Sequence, residues 1–355
     1  MKFGLFYLPT YLPGLRDAQT HYRGIIEQVE FADRVGIDYV WLVEHHFVRH
    51  GGLFPANYAF LSYLAARTRR IRLGTGATVL PLNDPVRVAE QAATLDQLSQ
   101  GRFDFGVGRG FIRDEFDAFG VDMKDSRERV EEGVELVKQA WAAPTLEFKS
   151  KFRPPMSGLP ILPPIYQKPH PPIWVACLLS PESFEWTAQE GYNLLYVAYH
   201  VDHPIAVERI GWYREALRKH GRRTEDHDIC CVYHAHFLGE DDNGQAARGR
   251  AQADERIRRR RARSRAQAAR SDRLQGLRAA RRRSAQVRLR IVLSRTRADG
   301  RAEAGDRAHP RAGRRRHHPD RHAGRLRLIA AVGDHALAGD FRERRAAAGA
   351  GFVTC

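Results

Sequence analysis

No lysine, tyrosine, tryptophan, methionine or asparagine occurs anywhere from Gln245 to Cys355. A globular domain does not abandon five residue types at one point, so the chain divides into residues 1–240 and 241–355. Residues 241–355 hold 31 Arg and 12 acidic residues, a net charge of +19, whereas residues 1–240 carry 27 basic and 30 acidic side chains, or −3. The overall charge of +16 would by itself suggest a nucleic-acid binder, but all of the excess lies in the last third. Runs such as Arg258–Arg261 and Arg314–Arg316 have no matching apolar face. Three readings of this segment stand beside one another. It is a disordered basic tail, an RNA- or DNA-binding arm without interleaved aromatics for base stacking, or a GC-rich gene read in a shifted frame. The expectation is a shifted frame or disorder, not nucleic-acid binding.

Cysteine is scarce. Cys177, Cys230, Cys231 and Cys355 form no C-x-x-C pair and two are adjacent, which excludes a disulfide framework and a zinc site. A reduced, cytoplasmic setting is the simplest, and no metal is expected. No apolar run approaches the ~20 residues that span a bilayer. The opening MKFGLFYLPTYLPGLRD is broken by Pro9 and Pro13 and is too short for a signal peptide. A Gly-rich dinucleotide fingerprint is also missing. The first strand runs instead into Pro9-Thr10-Tyr11-Leu12-Pro13, which argues against a doubly wound sheet.

What the first 240 residues do contain is alternation. Strands are expected at Phe3–Leu8, Tyr39–Val43, Ile71–Leu80, Phe103–Val107, Ile173–Ala176, Asn193–Ala198 and Asp228–Phe237. Helices are expected at Tyr22–Val35, Asn57–Arg67, Pro85–Ser99, Ser126–Trp141, Ser180–Glu190 and Ala206–His220, from apolar residues at helical spacing. Gly36 reads as a C-cap, and Asp84 with Pro85 as an N-cap and first helical residue. A Pro-rich connector covers Arg153–Pro172. Strands alternating with helices imply parallel pairing with right-handed crossovers. Seven repeats favour a (β/α)8 TIM-type barrel. Its eighth strand and last helix fall in the anomalous segment, where Leu326–Val332 is the one candidate strand.

In such a barrel the chemistry sits where strands end. Glu44-His45-His46-Phe47 follows the second strand. Its imidazoles can exchange protons near neutral pH, and one of the two should face the cavity. The spacing is not the H-E-x-x-H of a helical zinc site. Gly74-Thr75-Gly76-Ala77-Thr78 lies on the third strand, where glycines mark either close approach by a ligand or tight packing. Gly106-Val107-Gly108-Arg109-Gly110 ends the fourth strand and offers a bare backbone and one anion-holding arginine. Asp114 and Glu115 follow, with solvated surface as their plainest reading. Ser180-Pro181-Glu182-Ser183 opens a helix with Ser180 at the N-cap and Ser183 at the third helical position. Such a start favours a phosphate, though simple capping also explains Ser180. Arg127 can add charge nearby.

Together these stretches resemble the bacterial luciferase-like, or alkanal monooxygenase-like, flavoproteins. The matching segments are Lys2-Phe3-Gly4, Val40 to Phe47, Leu73 to Pro81, Asp84 to Arg87, Leu95 to Phe103, Gly108 to Gly110, Phe119-Gly120 with Ser126-Arg127, and Ser183 with Trp186. They cover residues 1 to about 238 in order. The resemblance implies a luciferase-like barrel in which reduced FMN and O2 oxygenate an aldehyde or similar small organic substrate. It implies His45 as the catalytic histidine and Glu115 as an acid near the site. It implies a non-proline cis peptide beneath the flavin at Gly76-Ala77, and phosphate contacts from Arg109, Arg127, Ser180 and Ser183. A flavin reductase as source of reduced cofactor and a homo- or heterodimer are implied as partners. Gly108 stands where luciferase has a cysteine and Leu179 where it has a glutamate, which points to a non-luminous enzyme. The alternatives are a deazaflavin (F420)-dependent oxidoreductase on the same barrel, or an inactive product whose barrel lacks its last strand.

Overall fold

Backbone hydrogen bonding joins eight parallel strands into a ring. The computed structural model describes residues 1–235, apart from Pro13 and Leu15, and the backbone of Leu326–Val332. All of these belong to one compact unit, Met1–His236 with His322–Cys355. The other expectations for residues 241–355 lie outside the described residues.

The elements run β1 (Phe3–Tyr7), α1 (Ala18–Val35), β2 (Tyr39–Leu42), α2 (Asn57–Arg67), β3 (Arg72–Thr75), β4 (Thr78–Val79), α3 (Pro85–Ser99), β5 (Phe103–Gly108), α4 (Arg113–Ala118) and α5 (Ser126–Ala142). They continue with β6 (Leu146–Phe148), β7 (Met156–Leu159), β8 (Ile173–Cys177), α6 (Pro181–Glu190), β9 (Asn193–Val197), α7 (His203–Lys219), β10 (Ile229–Ala235) and β11 (Leu326–Val332). Around the ring the order is β1, β2, β3, β5, β8, β9, β10, β11 and back to β1, every neighbouring pair parallel. The short β4 continues β3 and pairs with the end of β5. Leu326–Val332 lies between β10 and β1, Leu328 opposite Phe3 and Leu326 opposite Ile229. The two edges that seven strands would leave open are thus both paired.

Local chemistry explains most boundaries. Asp17 caps α1 by accepting from the Thr20 N–H at 2.8 Å, so the helix starts four residues before the expected Tyr22. Gly36 ends it in the left-handed region at φ 92°. Asp84 accepts from the N–H groups of Val86 and Arg87, as its place before Pro85 predicts. The expected single strand Ile71–Leu80 is two strands, interrupted at Gly76 and Ala77, whose peptide bond is cis. The Pro-rich connector is not structureless either: β7 lies within it and pairs antiparallel with β6.

The barrel interior is filled by aromatic rings. Trp41 and Trp174, both fully buried, meet edge to face with centroids 5.3 Å apart. Trp41 dictates the glycine across from it. A Cβ on Gly74 would lie 2.2 Å from its indole. A Cβ on Gly106 would lie 1.9 Å from the Thr75 carbonyl oxygen. Both glycines therefore answer to packing rather than to a ligand. At the N-terminal ends of the strands, Arg72 bonds Asp104 at 2.5 Å and the Trp174 indole N–H donates to the same carboxylate at 2.9 Å. This leaves the opposite end of the ring for the site.

Candidate active site

Four consecutive strands of the ring, β2, β3, β5 and β8, bring every expected site residue to one end of the barrel, directly or through the segment that follows each strand. His45 and Ser183, 138 positions apart in the chain, are therefore brought to one end only because their strands are neighbours.

Beyond β2 the chain turns out of an all-buried run, Tyr39 to Val43, and the next residue is an acid. Glu44 is itself buried, so its carboxylate must find donors. It takes three. Oε1 accepts from His46 Nε2 at 3.0 Å and Asn83 Nδ2 at 2.7 Å, and Oε2 accepts from the Val79 N–H at 3.0 Å. His46 is thereby fixed as a structural residue, its ring also set edge-on to Phe119.

His45 is held differently. Its Nδ1 lies 3.0 Å from Glu115 Oε1, and the same oxygen accepts the His46 main-chain N–H at 2.8 Å. A carboxylate only accepts, so Nδ1 carries the proton and Nε2 is left as the basic nitrogen. Nε2 has no hydrogen-bond partner among the described residues. Glu115 is completely buried, while Asp114 beside it is exposed. The expectation of solvated surface holds for Asp114 and fails for Glu115, because α4 turns the latter's side chain inward. Glu115 Oε2 has no hydrogen-bond partner among the described residues. Gly51 closes over the imidazole; a Cβ there would lie 2.6 Å from His45 Cδ2.

The cis peptide Gly76–Ala77 sits between β3 and β4. Thr75 Oγ1 donates to the Gly106 carbonyl at 2.7 Å and accepts its N–H at 2.9 Å, tying this bend to β5. Ala77 Cβ faces Gly108, where an added Cβ would be 3.3 Å away, with Ala176 Cβ at 3.5 Å. Three small residues, Ala77 from the β3–β4 bend, Gly108 from β5 and Ala176 from β8, thus meet with little side-chain bulk between them.

The fourth side is ionic. Ser180 occupies the N-cap position of α6, as the sequence predicts, but its hydroxyl makes no capping bond. It accepts from Arg127 Nη2 at 2.8 Å and donates to Glu182. Simple capping is therefore not what this side chain does. Ser183 lies in the first turn of α6, its N–H bonded to the Ser180 carbonyl at 3.0 Å. Arg109 is exposed just past β5. Arg209, from α7, donates to the Leu178 carbonyl at 2.7 Å and braces the approach to Ser180.

Glu44, Asn83, Gly51 and Arg209 were not singled out by sequence reasoning. Only Glu44 left a signal there: an acid directly after a continuous apolar strand has to be satisfied by neighbours. Among the described residues no group of three or more His, Cys, Asp or Glu could hold a metal ion, and no helix is long and apolar enough to cross a membrane.

The model of the family described as "Luciferase-like monooxygenase" matches residues 1–353. The alkanal monooxygenase alpha chain of Photorhabdus luminescens is 32% identical over 236 residues, 66% of this chain and 63% of that protein. The oxygenase component of the flavin-dependent trigonelline monooxygenase of Acinetobacter baylyi is 30% identical, covering 70% of this chain and 68% of that one. Among solved structures, the monooxygenase RslO1 from Streptomyces bottropensis superposes with a TM-score of 0.66 at 39% identity, over 73% of this chain and 78% of its own. The matched region spans less than two thirds of the length of the alkanal monooxygenase chains.

Proposed function

Since this chain belongs to the luciferase-like monooxygenase family, we propose that it is a flavin-dependent monooxygenase that uses reduced FMN and O2 on an aldehyde or similar small organic substrate. The observation that carries this reading is the convergence of a histidine–carboxylate pair, a group of small residues and a serine–arginine cluster on four adjacent strand ends.

The residues fit the cofactor. Gly108, Ala77 and Ala176 put little side-chain bulk at this end of the ring, so a planar ring system would meet no large side chain from them. Arg109, Arg127, Ser180 and Ser183 are a donor set for a phosphate monoester, gathered at a helix N-terminus whose dipole favours an anion. Reduced FMN would supply the two electrons that let one atom of O2 be transferred to carbon. The chain's own residues do the rest. Glu115 fixes the tautomer and orientation of His45, and Nε2 of His45 accepts or returns a proton at the reacting oxygen. Glu44 and Asn83 tie the histidine loop to the strand beyond the cis peptide, which keeps the two faces of the site in register. Delivery of reduced cofactor by a separate flavin reductase, and pairing with a second barrel chain, belong to the same reading and rest on the family resemblance. The division of the chain near residue 240 belongs to the same proposal and rests on the change of residue types and of charge there.

The test is isotopic. Purified full-length chain is given photoreduced FMN, 18O2 and a series of straight-chain aldehydes, and products are read by mass spectrometry. One 18O atom in the product is expected. Unlabelled product, or none from any substrate together with no FMN binding, overturns the proposal.

A further inference from the structure

The phosphate donors already hold an anion. Ser180 donates its hydroxyl to Glu182, and Arg127 Nη2 lies 3.7 Å from Glu182 Oε2 while also bonding Ser180 Oγ. Glu182 is on the second residue of α6, where the helix dipole favours negative charge. Its side chain is otherwise open to solvent, 71% exposed, so neither packing nor burial places it there. The hydroxyl of Ser180, then Glu182's own main-chain N–H and, less strongly, the charges of Arg127 and Arg109 hold its carboxyl below the ordinary glutamate range.

We propose that the Glu182 carboxylate is a built-in stand-in for the cofactor's phosphate, which occupies Ser180 and Arg127 until flavin displaces it and so weakens the hold on flavin. The inference rests on the flavin reading above. Its physical content is competition and repulsion. One serine hydroxyl and one guanidinium cannot serve two anions fully, and a carboxylate hydrogen-bonded to that hydroxyl and ion-paired at 3.7 Å with that guanidinium repels a phosphate dianion. A simple dipole-favoured surface glutamate would not engage the two donors that the site needs. The consequence suits a cofactor that must enter in one redox state and leave in another, because a site with its own counter-anion releases its ligand readily. Leu179, exposed beside Ser180, adds no charge, so the acid of this segment that reaches Ser180 is Glu182.

Equilibrium binding tests it without turnover. Quenching of flavin fluorescence is titrated with the full-length chain and with Glu182→Gln, using FMN and, in parallel, riboflavin, which has no phosphate. Glu182→Gln should bind FMN about tenfold more tightly at low salt, with the gap closing as added salt screens the charges. Riboflavin should bind both proteins equally. Equal FMN affinity for the two proteins overturns the inference, as does an equal gain for FMN and riboflavin, since the effect would not then be directed at the phosphate. Glu182→Ser guards against an artefact of the amide and should behave as Glu182→Gln does. Should the unmodified chain bind neither flavin, the cofactor reading itself fails and this inference falls with it. A chain that binds both, with no change on substitution, leaves the cofactor reading intact and removes only the stand-in.

Discussion

Glu115 Oε1 lies 3.0 Å from His45 Nδ1 although the two residues are 70 positions apart in the chain. One is just past β2 and the other on the short helix after β5, so only the pairing of β2 with β3 and of β3 with β5 brings them together. The pairing decides which imidazole nitrogen is available. His45→Ala should reduce product formation by about 10²- to 10⁴-fold, the range for loss of a positioned proton-transfer group, with FMN affinity kept. Glu115→Gln should cost less, because the imidazole remains but its orientation is loosened. Single-turnover product yield with photoreduced FMN measures both. Normal turnover in His45→Ala would refute its role.

Arg127 is the guanidinium bonded to Ser180. Removing a charged hydrogen-bond donor typically costs about 1.5–3 kcal/mol, so Arg127→Ala should weaken FMN binding by roughly 10- to 100-fold. Riboflavin affinity should hardly move. A parallel loss for both flavins would mean that Arg127 serves the fold instead of the phosphate.

Gly106 shows how tightly the ring is built. An added Cβ would sit 1.9 Å from the Thr75 carbonyl oxygen, and neither strand backbone can yield without breaking its ladder. Gly106→Ala should destabilise the protein by about 1–3 kcal/mol or more, the cost of overpacking a core. Urea unfolding followed by tryptophan fluorescence is the check. By contrast Gly211, on the outer helix α7 with open space around it, should accept alanine without loss.

Asp33 carries a pH-dependent part of the stability. Partial burial would raise its carboxyl, but the N–H groups of Ile71, Arg69 and Arg70, with Arg102 nearby, outweigh that and hold it below the ordinary aspartate range. Its folded pKa is thus lower than its unfolded value of ~3.9. The contribution is complete above that unfolded value and disappears as pH falls through the folded one. At pH 7 Asp33→Asn should lower stability by about 1 kcal/mol, the low side for a charged hydrogen bond because the site is partly exposed. The difference from the unmodified chain should shrink below pH 4, as pH-dependent urea midpoints would show.

Burial raises the thiols of Cys177 and Cys231 to about 12 each, against smaller opposing effects from Thr187 and Arg127 at the first and Arg214 at the second. Neither should be alkylated by iodoacetamide at pH 8 in the folded protein, because the thiolate is the nucleophile. Both should react in urea. Peptide mass mapping distinguishes the two states, and rapid labelling of either site in native protein would contradict the packing described.

Much of this was legible from residue order alone. Alternating strand and helix periods imply a parallel barrel, because each buried strand and amphipathic helix declares its own geometry over a few residues. Asp84 before Pro85, Gly36 after α1 and Ser180 before Pro181 announce their helix ends through local hydrogen-bonding and φ preferences, and even the isolated run Leu326–Val332 was recognisable as a strand. Other features needed the closed ring. Whether Gly74 answers to a ligand or to Trp41 depends on what stands across the barrel. Whether Glu115 is solvated like Asp114 depends on where α4 is carried. Whether Ser180 caps its helix or serves Arg127 and Glu182 depends on α5 lying beside α6. Covalent neighbours set short-range conformation, but hydrogen bonds between residues 53 or 70 positions apart exist only after folding has paid the entropy of bringing them together, and no local pattern encodes that meeting.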